Sequence, residues 1–209
     1  LMIGNRPEFA IAYFGVLRAG MVAVPINTGY TSTEVSRLCN DAGAEILLHD
    51  TGAAKVGASV AKRAHATRVI AVDSEQGAEM VGAGPGGRGA FSPPKTHAKD
   101  LAVLMYTSGS EGQPKGAMLS HGAMRANIDA LAKIRRPAAM EPDDRLLLVL
   151  PMFHIYGLNA GLGLVAKVGA TCVLLDRFES RSSLAAVREL GVTNIAGAPP
   201  MYVSWRSEG

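Results

Sequence analysis

Several residue types are scarce in this chain of 209 residues, and each shortage closes off a class of function. Cysteine occurs twice, at Cys39 and Cys172, far apart and in no CxxC pair. A disulfide framework therefore has nothing to build on, and two isolated thiols fit a reducing, cytoplasmic compartment. The five histidines are scattered, without the spacing of a zinc site. Neither sign of charge dominates: 21 Lys and Arg against 18 Asp and Glu leave a net charge of +3. Nucleic-acid binding needs a concentrated basic face. The densest basic stretch, Arg125 to Arg136 with Lys133 and Arg135, has no interleaved aromatics and reads as the solvated side of a helix. No apolar run approaches the ~18 residues of a membrane span, and the parts of a signal peptide are missing.

Apolar residues, by contrast, make up 48% of the chain, enough to bury a core as one domain or two lobes. LMI at the start reads as a strand, and Asn5-Arg-Pro-Glu8 opens a helix with Pro7 at an early position. That helix stops at Gly20, and MVAVPI (21–26) is the next strand. Thr31-Ser-Thr-Glu34 is a capping-box pattern for a helix ending near Gly43. A strand EILLHD (45–50), a helix over 53–66 and a strand TRVIAVD (67–73) follow. Residues 74–99 break the rhythm with GAGPGGRG and Pro93-Pro94 and show no core periodicity, which reads as an exposed, mobile excursion and not as a phosphate loop.

The strand LAVLM (101–105), a glycine-rich loop and a helix over about 120–135 come next. Beyond a connector at 135–145 lie the strand RLLLVL, a helix after Pro151, the strand TCVLLD, a helix over 180–190 and the strand TNIAGA. Strands separated by single helices require parallel pairing through crossovers. The expected fold class is α/β, in two lobes of parallel sheet with flanking helices. The first lobe spans 1–136, and 142–209 begins the second.

The loop YTSGSEGQPKG (106–116) carries the most chemistry. It packs three glycines, three small hydroxyl side chains and a lysine into eleven positions directly after a strand. A polyphosphate is held by inward-pointing backbone N–H groups, helped by hydroxyls and a lysine. Gly109, Gly112 and Gly116 would permit the close wrap. Thr107, Ser108 and Ser110 would add donors, and Lys115 a positive charge that Pro114 aims. The Walker A pattern G-x4-G-K-[ST] does not fit. Counted from Gly109, its second glycine falls on Pro114, and Gly116 stands where Ser or Thr is needed. A G-x-S-x-G nucleophile elbow is absent as well.

This loop resembles the phosphate loop of the adenylate-forming enzymes, whose pattern is close to [YF]-T-S-G-[ST]-T-G-x-P-K-G. It departs from that pattern only at Glu111. Leu17-Arg-Ala-Gly-Met-Val-Ala-Val-Pro-Ile26 is similar to the family's L-x-A-G-x-x-x-V-P-[IL] segment. Leu150-Pro-Met-Phe-His-Ile-Tyr-Gly157 looks like its P-x-x-H-x-x-G segment, and the order agrees. The closest likeness is to the acyl-CoA synthetases, the fatty-acid and aryl-acid CoA ligases.

The resemblance implies an ATP- and Mg²⁺-dependent ligase that adenylates a carboxylic acid and forms its thioester with coenzyme A. It implies phosphate contacts from Thr107, Ser108, Gly109, Ser110, Glu111, Gly112 and Lys115, with Ser110 near the Mg²⁺. Phe153, His154 and Gly157 would border the acyl pocket and the adenylate, framed by Tyr156. Ser120 is expected to cap a helix, His121 to pack against the loop, and Asp143-Asp144 to form a turn or cap. Small residues around Gly161 and Gly163 would permit a tunnel beside His154, which favours a fatty acyl group.

No residue here is assigned as the catalytic one. The family's magnesium-binding glutamate, ribose-binding aspartate and adenylation lysine have no counterpart in this sequence. The chain therefore reads as an internal piece of the family's large N-terminal domain, inactive alone. Two alternatives stay open. One is a non-catalytic nucleotide-binding scaffold, and the other a ligase that stops at the acyl-adenylate or loads a carrier protein.

Overall fold

The computed structural model describes residues 1–63, 68–75, 77, 92–107, 114–134 and 138–208. They form two compact units, Leu1–His121 and Gly122–Gly209.

In the first unit, helix α1 (Pro7–Arg18) starts on Pro7, where the missing N–H costs nothing. It ends in a Schellman turn: Gly20 takes φ +72°, its N–H bonds to the Leu17 carbonyl, and Met21 N–H bonds to Val16. Helix α2 (Ser32–Asp41) has the predicted capping box, with Glu34 N–H on Thr31 Oγ1 and Thr31 N–H on the Glu34 carboxylate. Strand β1 (Ile46–His49), helix α3 (Ala54–Arg63) and strand β2 (Arg68–Ala71) complete a parallel β–α–β unit.

The segments at 1–3 and 21–26 knit these strands to β3 (Leu101–Thr107). Met2 bridges His49, and Asp50 N–H bonds back to Met2. Leu1 nitrogen donates to Val24 at 2.7 Å, and Ile26 N–H to Leu1 at 2.8 Å. Ala23 in turn exchanges bonds with Ala102 and Leu104. The spatial order is thus β2, β1, residues 1–3, residues 21–26, β3. Both segments are read as strands from sequence, yet each pairs through single bridges. They are short, and Pro25 has no N–H to give a ladder.

Strand β4 (Lys115–Ser120) pairs antiparallel with β3, and sequence periodicity gives no sign of it. It is an exposed edge, with Met118 72% accessible, so it lacks the apolar alternation that marks a half-buried strand. Under α2 and α3, Val35, Leu38, Leu47 and Val60 form the core of this unit with Met2 and Ile26.

In the second unit, strands β5 (Arg145–Leu148), β6 (Thr171–Leu174) and β7 (Asn194–Ile195) form a parallel sheet in the order β6–β5–β7. The central strand is buried on both faces, as its leucine run requires. Helices α5 (Leu164–Val168), α6 (Ser180–Glu189) and α7 (Pro199–Arg206) lie between and after these strands.

Helix α4 (His121–Ala132) falls with this unit from its second residue on, where the sequence reading kept it with the first lobe. Its contacts explain the placement: Asp129 pairs with Lys167 at 2.8 Å, and Asn127 Oδ1 accepts from Asn159. Asp144 closes a turn, accepting from Glu141 N–H and from the Thr193 hydroxyl at 2.7 Å each, as the cap reading expects. Among the described residues no helix is long and apolar enough to cross a membrane.

Candidate functional site

Of the sequence-predicted phosphate residues, Thr107 and Lys115 are described. Ser108, Gly109, Ser110, Glu111 and Gly112 lie outside the described residues. Thr107 and Lys115 face each other as the last rung of the β3–β4 hairpin, and Thr107 Oγ1 reaches the Lys115 carbonyl at 3.5 Å. Both are exposed, and among the described residues the Lys115 ammonium has no ion pair. A cation and a hydroxyl therefore stand at the root of 108–113. They do so past the C-terminal end of a strand with a parallel neighbour, the edge where open α/β sheets bind ligands.

One rung deeper, Tyr106 opposes Gly116. A Cβ on Gly116 would lie 2.8 Å from Leu104 Cδ1 and 3.4 Å from Tyr106 Cε1, so the glycine allows the return strand to run against these side chains. The Tyr106 ring packs on the core beneath α2, and its hydroxyl donates to the Asp41 carboxylate. Burial first, and then Asp41, raise the Tyr106 pKa above the ordinary tyrosine range. The sequence reading gave neither Tyr106 nor Asp41 a role.

His121 is at the other end of β4 from this loop, with its N–H on the Asp100 carbonyl at 3.0 Å. The packing of His121 against the loop that the sequence predicts involves residues 108–113, which lie outside the described residues.

In the second unit, the chain leaving β5 turns at Pro151, with His154 N–H on the Pro151 carbonyl at 3.0 Å. It then enters a π-helix over Tyr156–Gly163, a wide winding often found at functional sites. The turn is tight at Gly157. A Cβ there would meet Pro151 O at 2.4 Å and Leu150 O at 2.7 Å. Leu158, Asn159 and Leu162 point into the unit, while His154, Ile155 and Tyr156 are exposed and Phe153 is half-buried. The Phe153 and His154 rings lie 4.8 Å apart at 49°, so the phenyl braces the imidazole. Buried Asn159 ties the π-helix to α4, donating to Met124 O at 3.3 Å and to Asn127 Oδ1 at 2.8 Å. No residue pattern in the sequence marks that tie or the π winding.

Core side chains come close to the two glycines expected to open a tunnel. A Cβ on Gly161 would meet Leu148 Cδ1, and one on Gly163 would meet Ile128 Cδ1, each at 2.7 Å. These glycines admit neighbouring core side chains. Met201 is buried and Trp205 packs on Leu147, Val173 and Ala186, so both serve the core. A cavity of about 650 Å³ in the first unit is bordered by Ile11, Val16, Met21, Ile46 and Leu48, and no predicted site residue lines it. Its described lining is mostly apolar and carries the acidic Glu45, unsuited to a phosphate.

Comparison with known proteins places this geometry. The family model described as AMP-binding enzyme matches residues 1–209, and the chain belongs to that family. Among curated relatives, it is 32% identical over 209 residues to 4-coumarate–CoA ligase 5 of Oryza sativa subsp. japonica, covering 97% of this chain and 38% of that protein. It is likewise 32% identical over 218 residues to a feruloyl-CoA synthase of an Amycolatopsis species, covering 97% and 40%. Among solved structures, ATP-bound MatB from Rhodopseudomonas palustris superposes with a TM-score of 0.80 at 28% identity, covering 97% of this chain and 39% of that one. The chain thus spans about two fifths of the length of the relatives it matches.

Proposed function

We propose that this chain is part of an ATP-dependent acid–thiol ligase that adenylates a carboxylic acid and passes the acyl group to coenzyme A. The observation that carries the proposal is the Thr107–Lys115 rung, an exposed hydroxyl residue and an exposed lysine at the root of a loop matching the family's phosphate motif in all but one position. A carboxylate attacking the α-phosphate is an anion approaching an anion, so the polyphosphate must be partly neutralised and held in line. Lys115 would supply charge toward the departing pyrophosphate, and Thr107 would fix the hairpin end from which 108–113 depart. Magnesium, when bound, would supply further charge neutralisation. The Ser110 hydroxyl, in the loop outside the described residues, would approach that metal.

For the acid we propose an aromatic carboxylate. Leu148 and Ile128 lie close against Gly161 and Gly163, the glycines that would have to open a tunnel for a long acyl chain. The exposed surface that remains, His154, Tyr156 and half-buried Phe153, presents flat faces suited to a ring. Two relatives, named for 4-coumarate and ferulate, point the same way. The test is CoA-thioester formation by the full-length protein with equal concentrations of hydroxycinnamic, benzoic and C8–C16 fatty acids. Aromatic thioesters should form at least tenfold faster. Preferential thioesters of the fatty acids would overturn the aromatic reading, and an adenylate released without thioester would favour a ligase that uses another acceptor.

A further inference from the structure

We infer that Tyr106 and Asp41 form a positioning pair that fixes where the phosphate loop leaves the sheet. The inference rests on the nucleotide reading proposed above.

The two residues are 65 positions apart, on β3 and at the last position of α2, and the Tyr106 hydroxyl donates to the Asp41 carboxylate. A carboxylate at a helix C-terminus faces the negative end of the helix dipole, so Asp41 gains from a donor there. The tyrosine ring is meanwhile clamped between the core under α2 and the return strand at Gly116. The next rung, Thr107–Lys115, is exposed and joined by a side-chain contact of 3.5 Å. Tyr106–Gly116 is thus the last rung before the loop that is packed on the core, and Asp41 anchors it from outside the hairpin. Shifting this rung would shift every donor beyond it, and donor placement within fractions of an ångström governs how well a phosphate is held.

The pair therefore acts through the loop and touches no phosphate itself. The full-length protein with Tyr106→Phe keeps the ring and loses the tie. Its affinity for a non-hydrolysable ATP analogue, measured by calorimetry, should fall about tenfold, as expected for losing a hydrogen bond to a charged group. The KM for the acid at saturating ATP should stay within twofold.

Asp41→Ala should match Tyr106→Phe, the double variant should be no worse than either, and Asp41→Asn, which keeps an acceptor, should recover most of the affinity. A Tyr106→Phe variant with a lowered melting temperature but unchanged nucleotide affinity would overturn the inference, leaving the bond as a structural brace. Wild-type protein that binds the analogue but forms no adenylate would defeat the ligase reading alone, and the pair would still be judged by nucleotide affinity. Wild-type protein that binds no nucleotide would defeat both.

Discussion

The β3–β4 hairpin of the first unit and the turn over 149–163 of the second both present candidate side chains just beyond a strand, by opposite means. In the hairpin, β4 is an exposed edge, and Thr107 and Lys115 stand past the last rung packed on the core. The second turn is buried along most of its length, and only His154, Ile155 and Tyr156 emerge from it. Glycine serves both, differently. Gly116 makes room for side chains, which can adjust, whereas Gly157 makes room for backbone oxygens, which cannot. The first site should therefore tolerate change in structure and lose nucleotide binding, and the second should lose structure first.

The sharpest break of that contrast is Gly157→Ala in the full-length protein. A Cβ 2.4 Å from Pro151 O forces the backbone apart, and we expect a loss of about 3 kcal/mol or more in denaturant melts. Unchanged stability would show that this turn is as compliant as the hairpin. Lys115→Ala should leave the melting temperature within about a degree while lowering ATP–pyrophosphate exchange roughly 30-fold, by removing charge from the leaving pyrophosphate. Normal exchange would remove Lys115 from the site.

His154→Ala should raise KM for the acid about fivefold and leave KM for ATP alone, since the imidazole is exposed beside Phe153. Normal kinetics on every acid would sink its pocket role. A smaller effect is expected with pH. The Glu141 N–H first, then the Thr193 hydroxyl, hold the Asp144 carboxyl below the usual carboxylate range. Its contribution to stability is present above the unfolded pKa of about 4 and is lost as pH falls through the lower folded value. Melting temperatures between pH 6 and 3 should thus fall more steeply for wild type than for Asp144→Asn.

The smallest effect is reserved for Glu111→Thr. Two like charges about 4 Å apart repel by roughly 4 kcal/mol at an effective dielectric near 20, so a carboxylate at 111 gives nucleotide binding no help that threonine would lack. KM for ATP should then be unchanged or lower. A sharp loss of activity would give the carboxylate a role.

Local signals made much of this legible in advance. Pro7 and Gly20 bound α1, Thr31 and Glu34 cap α2, and the loop motif names its family because phosphate wrapping demands specific residues at specific spacings. What stayed illegible depends on partners distant in sequence. Strand β4 takes its pairing from β3 without needing an apolar face. The close approach of Leu148 to Gly161 and of Ile128 to Gly163 has no local signal either. The Tyr106–Asp41 tie spans two elements with no local pattern at all.

The most direct test is acid-dependent ATP–pyrophosphate exchange by the full-length protein. The account predicts exchange that appears only when a carboxylic acid is added and is fastest with aromatic acids. Exchange that no acid stimulates, in a protein that is folded and binds ATP, would contradict it.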